Sequence, residues 1–266
     1  MILPTKIVIA VSVSVLLLSS VIVNAAEIAA EKVANPAIEQ KALDLLENMS
    51  AYLADAKTMT FTASTMVETS VKGQLLNFFS HTKVTLKRPN GLKAITKSDS
   101  KPNEFYFDGK NMTSYSPKDK MYAVTATPAT LDELFPFAME KAGIHTAFSD
   151  ILTSDPYAYI TADLTSAFTA GQSTIGGVLC DHLALKGDGI EWQIWIAVGN
   201  KPLPVLMTMT YTTLPDKPRF ILQYSDWKLN VPITKGAFAF KVPTGVMKIS
   251  YQTAKAAVAD DGGAKK

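Results

Sequence analysis

At Thr58 the apolar pattern of the chain changes its period, and that change sets the fold class. Before it, Ile38, Ala42, Leu45, Leu46, Met49, Tyr52, Leu53 and Ala56 recur at the spacing of one helix face, with Glu39, Lys41, Asp44, Glu47 and Asp55 opposite. Asn35 as N-cap and Pro36 at the first helical position mark where this helix should start. After it, Met59, Phe61, Ala63 and Val67 alternate with Thr58, Thr60, Thr62 and Ser64, the two-residue period of a strand. A helix with one apolar face must bury it, and the strands that follow supply the surface.

Turn chemistry at Lys72-Gly73-Gln74 and Arg88-Pro89-Asn90-Gly91 brackets a second strand over 75–86. Short strands are expected over 92–97, 104–108, 111–116 and 120–125, forming an antiparallel meander. Thr130 and Glu133 then make a capping box. Leu131, Leu134, Phe135, Ala138, Met139 and Ala142 repeat at helical spacing, with Pro136 either starting a fresh helix or kinking one. Shorter helical pieces are expected over 148–152 and 157–168. Strands resume over 178–186, 191–198, 203–211, 219–228 and 238–242. About eleven antiparallel strands, a packing helix at the start and a helical insertion midway make an α+β domain. Twist should curl so long a sheet into an open, half-closed β-barrel.

The first 25 residues carry one charged side chain, Lys6, followed by an uncharged run over 7–23 rich in Val, Leu and Ile. This is the pattern of a secretory signal peptide, cleaved before Ala26 or before Glu27. The competing reading, an uncleaved anchor, rests on a run of 17 residues that approaches the ~20 needed to span a bilayer. Four serines in the run and its Ala-rich exit favour cleavage. The expected organisation is signal peptide 1–25, linker 26–34, one domain over 35–250 and a disordered tail over 251–266. Cys180 is the single cysteine, so neither a lipid anchor at the cleavage site nor an internal disulfide is available. The expectation is a soluble protein of the periplasm, with no stable membrane span after cleavage.

Charge excludes one partner class. Without Lys6 the chain has 25 basic against 24 acidic side chains, and no basic cluster exceeds Lys87-Arg88, so it lacks the dense basic stripe of a nucleic-acid binder. Chemistry is equally sparse. His81, His145 and His182 show no metal-ligand spacing, and in the Ser80-His81 and Asp181-His182 pairs strand neighbours point to opposite faces. There is no nucleophile elbow, phosphate loop or dinucleotide fingerprint, and Cys180 reads as a small buried hydrophobe. No catalytic residue, metal ligand or cofactor is assigned, and the chain is not expected to be an enzyme.

Four segments carry a resemblance. Lys87-Arg88-Pro89-Asn90, then Phe107-Asp108-Gly109-Lys110, then Tyr115-Ser116-Pro117 and Tyr122-Ala123-Val124 follow the order and spacing of motifs in the periplasmic outer-membrane lipoprotein carrier family, LolA-like. The closing Phe238-Ala239-Phe240-Lys241-Val242-Pro243-Thr244-Gly245 resembles the ending of the same superfamily, and the likeness spans roughly residues 36 to 250. Within that superfamily the chain looks closest to the DUF2092 family of predicted periplasmic proteins. The resemblance implies a LolA/LolB/LppX-like curved sheet around a hydrophobic cavity, helices as a lid, and acyl chains of a lipid or lipoprotein as ligand. It also implies that Arg88 hydrogen-bonds lid backbone and holds the empty cavity closed; the other reading of Arg88 is a turn arginine in solvent. The ligand-binding set on this reading is Arg88, Phe61, Phe79, Phe105, Phe107, Phe135, Met139, Trp195, Met207 and Met209.

The residues bear on the cavity independently. Trp192, Ile194, Ile196 and Val198 oppose Trp195 and Ala197, so this strand is apolar on both faces, and Leu203, Val205, Met207, Met209 and Tyr211 line one side of the next. These side chains either wall a ligand cavity or fill a core. The second alternative would make the chain a non-enzymatic envelope module with protein partners.

Overall fold

The computed structural model describes residues 38–98, 102–144 and 148–251. The expected signal peptide, linker and Asn35-Pro36 helix start lie outside them, as do His145 and the expected tail beyond its first residue. The first helix, α1, covers Gln40–Asp55 and begins after Glu39, whose carboxylate accepts the Thr169 N–H at 2.9 Å and the Thr169 hydroxyl at 3.0 Å. Its Leu46, Met49 and Leu53 are fully buried. Burial of each such side chain stabilises the fold by roughly 2 kcal/mol.

Among the described residues twelve strands form one sheet. β1 (Thr58–Val71), β2 (Gln74–Lys87), β3 (Gly91–Ser98), β4 (Asn103–Phe107), β5 (Asn111–Ser116) and β6 (Met121–Ala126) form the meander. α2 (Leu131–Ala142), a 3₁₀ turn (Asp150–Leu152) and α3 (Pro156–Thr161) follow. β7 (Ser166–Ile175), β8 (Val178–Gly187), β9 (Ile190–Ala197), β10 (Pro204–Tyr211) and β11 (Arg219–Leu229) return to pair with β1, and β12 (Met247–Ile249) closes the order β12-β6-β5-β4-β3-β2-β1-β11-β10-β9-β8-β7. The sheet is curved and its end strands, β12 and β7, do not meet, so the molecule is an open half-barrel of the α+β class. Met59, Phe61 and Ala63 of β1, Val84 and Leu86 of β2, and Leu222 and Tyr224 of β11 point to the inner face, where α1 and the helical insertion share one core with them.

Five features depart from the sequence expectation. β7 appears where a helix was expected to run to residue 168; it is an edge strand with few apolar residues and a bulge between Thr169 and Gly171, so its period is weak. α2 runs unbroken through Pro136, and the Asp132 carbonyl that an N–H at 136 would have used accepts from the Tyr159 hydroxyl at 3.5 Å. β12 lies parallel to β6, an exception in an otherwise antiparallel sheet. Residues 238–242 are not a strand, because both phenylalanines act as plugs instead. Phe238 lies against Gly91, where a Cβ would come within 2.5 Å of its ring, and Phe240 sits 5.3–5.4 Å from the rings of Tyr106, Tyr115 and Tyr122. Tyr251, placed in the expected tail, is partly buried and donates to the Ser114 hydroxyl at 3.0 Å.

β11 pairs with β1 only as far as Val67, and β3 pairs with β2 only as far as Ser80. Residues 68–79 therefore form a two-stranded ribbon beyond the sheet, with Leu75, Phe78 and Phe79 exposed.

Candidate functional site: two cavities under a tied lid

The Lys87-to-Gly91 turn fastens the helical insertion to the sheet. Arg88 Nη1 donates to the Leu152 carbonyl at 2.5 Å and to the Thr153 carbonyl, while Nη2 reaches the Leu53 carbonyl at 3.4 Å. The Pro89 carbonyl accepts from the Leu131 N–H at 2.8 Å, tying the start of α2 to the same turn. Asp132 completes the knot by accepting from the Ser154 N–H at 2.8 Å and from the Ser154 hydroxyl. Burial lowers the Arg88 pKa from its usual value and Asp132 opposes the shift, a balance that leaves the guanidinium charged. Of the three carbonyls that Arg88 reaches, two lie in the helical insertion and one at the end of α1.

Two cavities lie between this roof and the inner face, and Phe148 borders both. One, of about 190 Å³, is walled by Trp192 and Ile194 of β9, Met207 and Met209 of β10, Tyr224 of β11, Leu46 of α1 and the residues around the 3₁₀ turn and α3. Asp150, Asp163 and Asp188 also line it. The other, of about 240 Å³, is lined by Thr65, Ser80, Thr82, Thr96 and Ser114 together with Leu92, Phe105 and Phe220. Phe148 itself stands edge-on to Phe61, with ring centroids 5.7 Å apart, and Phe61 stacks on Trp227 at 4.4 Å. A larger cleft of about 410 Å³ lies between α1 and the β9–β10 turn, lined by Leu45, Asn48, Tyr52, Asp181 and residues 196–199 and 202.

The expected ligand set divides accordingly. Met207 and Met209 line the first cavity and Phe105 the second. Phe61 and Phe107 are buried core beneath them, and Phe135 is partly buried against the same core. Those three line neither cavity, and three further residues lie away from the core as well. Phe79 is 64% exposed on the projecting ribbon, and Met139 is 49% exposed on α2. Trp195 points away from the cavity-lining Trp192 and Ile194, stacks on His182 at 4.1 Å and donates to the Ser173 hydroxyl at 2.9 Å. On a strand the neighbour of a cavity residue faces the other way, and Trp195 follows that rule.

Phe148, Trp192, Tyr224 and Asp150 line the first cavity but were absent from the expected set. The alternation of Phe220, Leu222 and Tyr224 could have found the tyrosine. Nothing in the sequence brings Asp150 toward β11. Its environment is distinctive: the residue keeps open surface, yet surrounding protein raises its carboxyl pKa, as expected for a carboxylate facing a cleft. The Tyr224 hydroxyl is fully buried without a hydrogen-bond partner among the described residues, and its pKa is pushed up, chiefly by burial and then by Asp150.

The described residues thus form a roofed half-barrel with two cavities beneath the roof. The chain belongs to the DUF2092 family of predicted periplasmic proteins, whose model matches residues 42–252. None of the curated proteins matches it in sequence. Among solved structures it is similar to an uncharacterised conserved protein of Thermus thermophilus, at 10% identity and a TM-score of 0.46 over 79% of this chain and 99% of that one. It is also similar to a LolA superfamily protein of Nitrosomonas europaea, at 13% identity and a TM-score of 0.40 over 75% and 97% of the two chains. The Mycobacterium tuberculosis lipoprotein LppX is similar at 13% identity and a TM-score of 0.43 over 73% and 97%. Among the described residues no helix is long and apolar enough to cross a membrane.

Proposed function

We propose that this protein is a soluble periplasmic carrier or binding protein, released from its signal peptide, that holds the acyl chains of a lipid or lipoprotein between the sheet and the lid. The observation that carries this reading is the pair of cavities, one mostly apolar and one lined by hydroxyls as well as apolar side chains, that meet at Phe148 under a roof fastened by polar bonds. Ligand sites usually run to about 300–1,000 Å³. Each cavity alone is smaller, so a long chain enters by lifting the roof or displacing Phe148. Burial at about 0.8 kcal/mol per methylene offers on the order of 10 kcal/mol for one chain. Opening the roof subtracts from that figure, which is what allows a carrier to let go.

The test is to purify the protein from the periplasm, extract it with organic solvent for mass spectrometry, and titrate the delipidated protein with a fluorescent acyl probe. Stoichiometric lipid or saturable probe uptake is expected. Repeated absence of both would remove the carrier reading.

The exposed ribbon favours a second reading, an envelope protein-interaction module, because Leu75, Phe78 and Phe79 lie outside the cavities. Under that reading, exchanging Phe78 and Phe79 for serine abolishes capture of an envelope protein and leaves probe uptake unchanged.

A further inference from the structure

We propose that the first cavity selects an amphiphile with a cationic ammonium head, which sits among aromatic rings and carboxylates while its chain runs toward Phe148. The inference rests on the cavity reading above and adds the chemistry of the head group. Three observations support it. The carboxylates of Asp150, Asp163 and Asp188 share the lining, and no Lys, Arg or His is found among the described residues that line it. Phe148, Tyr159, Trp192 and Tyr224 give the same cavity an aromatic wall, and ammonium groups are drawn to the faces of such rings. Tyr224, 4% exposed, lines the same cavity, and its fully buried hydroxyl has no partner among the described residues, so an N–H or a polarised N–CH₃ would meet its lone pair once the wall gives way around a ligand.

The alternatives fit less well. An anionic head would stand beside three aspartates, with no counter-charge among the described residues that line the cavity. A bare metal ion needs closely converging ligands. Among the described residues no three His, Cys, Asp or Glu side chains come close enough to hold one. Carboxylates spread around an aromatic cavity suit a bulkier cation, and the flexible thioethers of Met207 and Met209 adapt to the first segment of its chain. Overall charge does not create the preference, because the chain carries a formal net charge of +2 and would favour an anion.

The experiment uses three probes of equal chain length, dodecyltrimethylammonium, dodecanol and dodecanoate. Each is titrated below its micelle concentration into the delipidated secreted protein at neutral pH, with calorimetry and Trp fluorescence as readouts. The expected order is ammonium, then alcohol, then carboxylate, with about a tenfold gap between the two charged probes that disappears in Asp150→Asn. Carboxylate binding as tight as ammonium binding overturns the inference and leaves the cavity reading standing. Ammonium preference that survives in a folded Asp150→Asn also overturns it. If that variant does not fold, the order of the three probes on the wild-type protein decides alone. If none of the three binds, the cavity reading itself falls.

Discussion

The cavities on either side of Phe148 are similar in size but differ in what their polar groups are doing. In the hydroxyl-lined cavity Thr65 pairs with Ser80 at 2.5 Å and Thr82 with Thr96 at 3.0 Å. Glu104 accepts from Tyr106 at 2.6 Å, and Ser114 accepts from Tyr251. The hydroxyls bond one another, so a hydrocarbon chain can cover them without orphaning a donor or an acceptor, while Asn103 and the Glu104 carboxylate keep part of this wall polar. In the acidic cavity the Tyr224 hydroxyl has no partner among the described residues, and the hydrogen bond recorded for the Asp150 carboxylate is a 3.2 Å contact from Ser149. An unpaired polar wall gains from a ligand that completes it. A satisfied wall therefore makes room for a chain, and an unsatisfied one reads a head.

The divider is the place to break this comparison. Phe148→Ala removes a ring that is 7% exposed and packs edge-on to Phe61, so a loss of about 3 kcal/mol is expected in chemical denaturation. If the cavities are two parts of one site, the variant should also shift the preferred chain length of acyl probes upward. An unchanged length preference would make them separate sites. Arg88→Leu should cost somewhat less, about 2 kcal/mol, because charge-assisted bonds to the Leu152 and Thr153 carbonyls disappear while the leucine still fills space. Its probe affinity should rise about tenfold, since the roof no longer has to be unfastened before the ligand enters. The gain should be equal for ammonium and alcohol probes, because the tie controls access to both cavities and contributes nothing to the choice of head. Unchanged affinity would leave Arg88 with a purely structural part.

How much of this was legible follows from range. The helix face of Leu46, Met49 and Leu53 and the alternation of Met59, Phe61 and Ala63 are local patterns, and both survive in the fold. The motif Lys87-Arg88-Pro89-Asn90 pointed to the lid tie through resemblance, although nothing near it in sequence names the Leu152 and Thr153 carbonyls it holds. Facing was legible wherever the period was clean, and Met207 and Met209 share a face on the wall of the first cavity. It failed where a residue was chosen for its size, as with Phe79 and Trp195. The acidic cavity was invisible for a different reason. Its aspartates come from the 3₁₀ turn, the end of α3 and the β8–β9 turn, and only tertiary packing brings those three loops to one wall. The ribbon and the plugs at Phe238 and Phe240 belong with it, since each depends on where neighbouring strands stop.

The smallest effect offers the sharpest separation of the two cavities, because the carboxylate of the hydroxyl-lined one, Glu104, already accepts from Tyr106 at 2.6 Å, while Asp150 accepts the longer contact from Ser149. Burial raises the Asp150 pKa above the ordinary value of 3.8, with the Ser149 hydroxyl pulling part of the way back. The folded protein therefore retains a proton that the unfolded chain has released. The stability this contributes is present at acid pH and is lost as pH rises through the folded pKa. An ammonium head needs the ionised carboxylate and displaces that proton, so its affinity should climb across the same window. Asp163 and Asp188 face the same space, and the Tyr211 and Tyr224 hydroxyls, both raised by burial first and by Asp150 second, stay protonated throughout. Calorimetry of dodecyltrimethylammonium from acid to neutral pH should show the climb in wild type and a flatter profile in Asp150→Asn, while dodecanol is level in both. A climb that persists undiminished in the variant would show that Asp150 does not set the choice of head and would overturn the cationic-head inference.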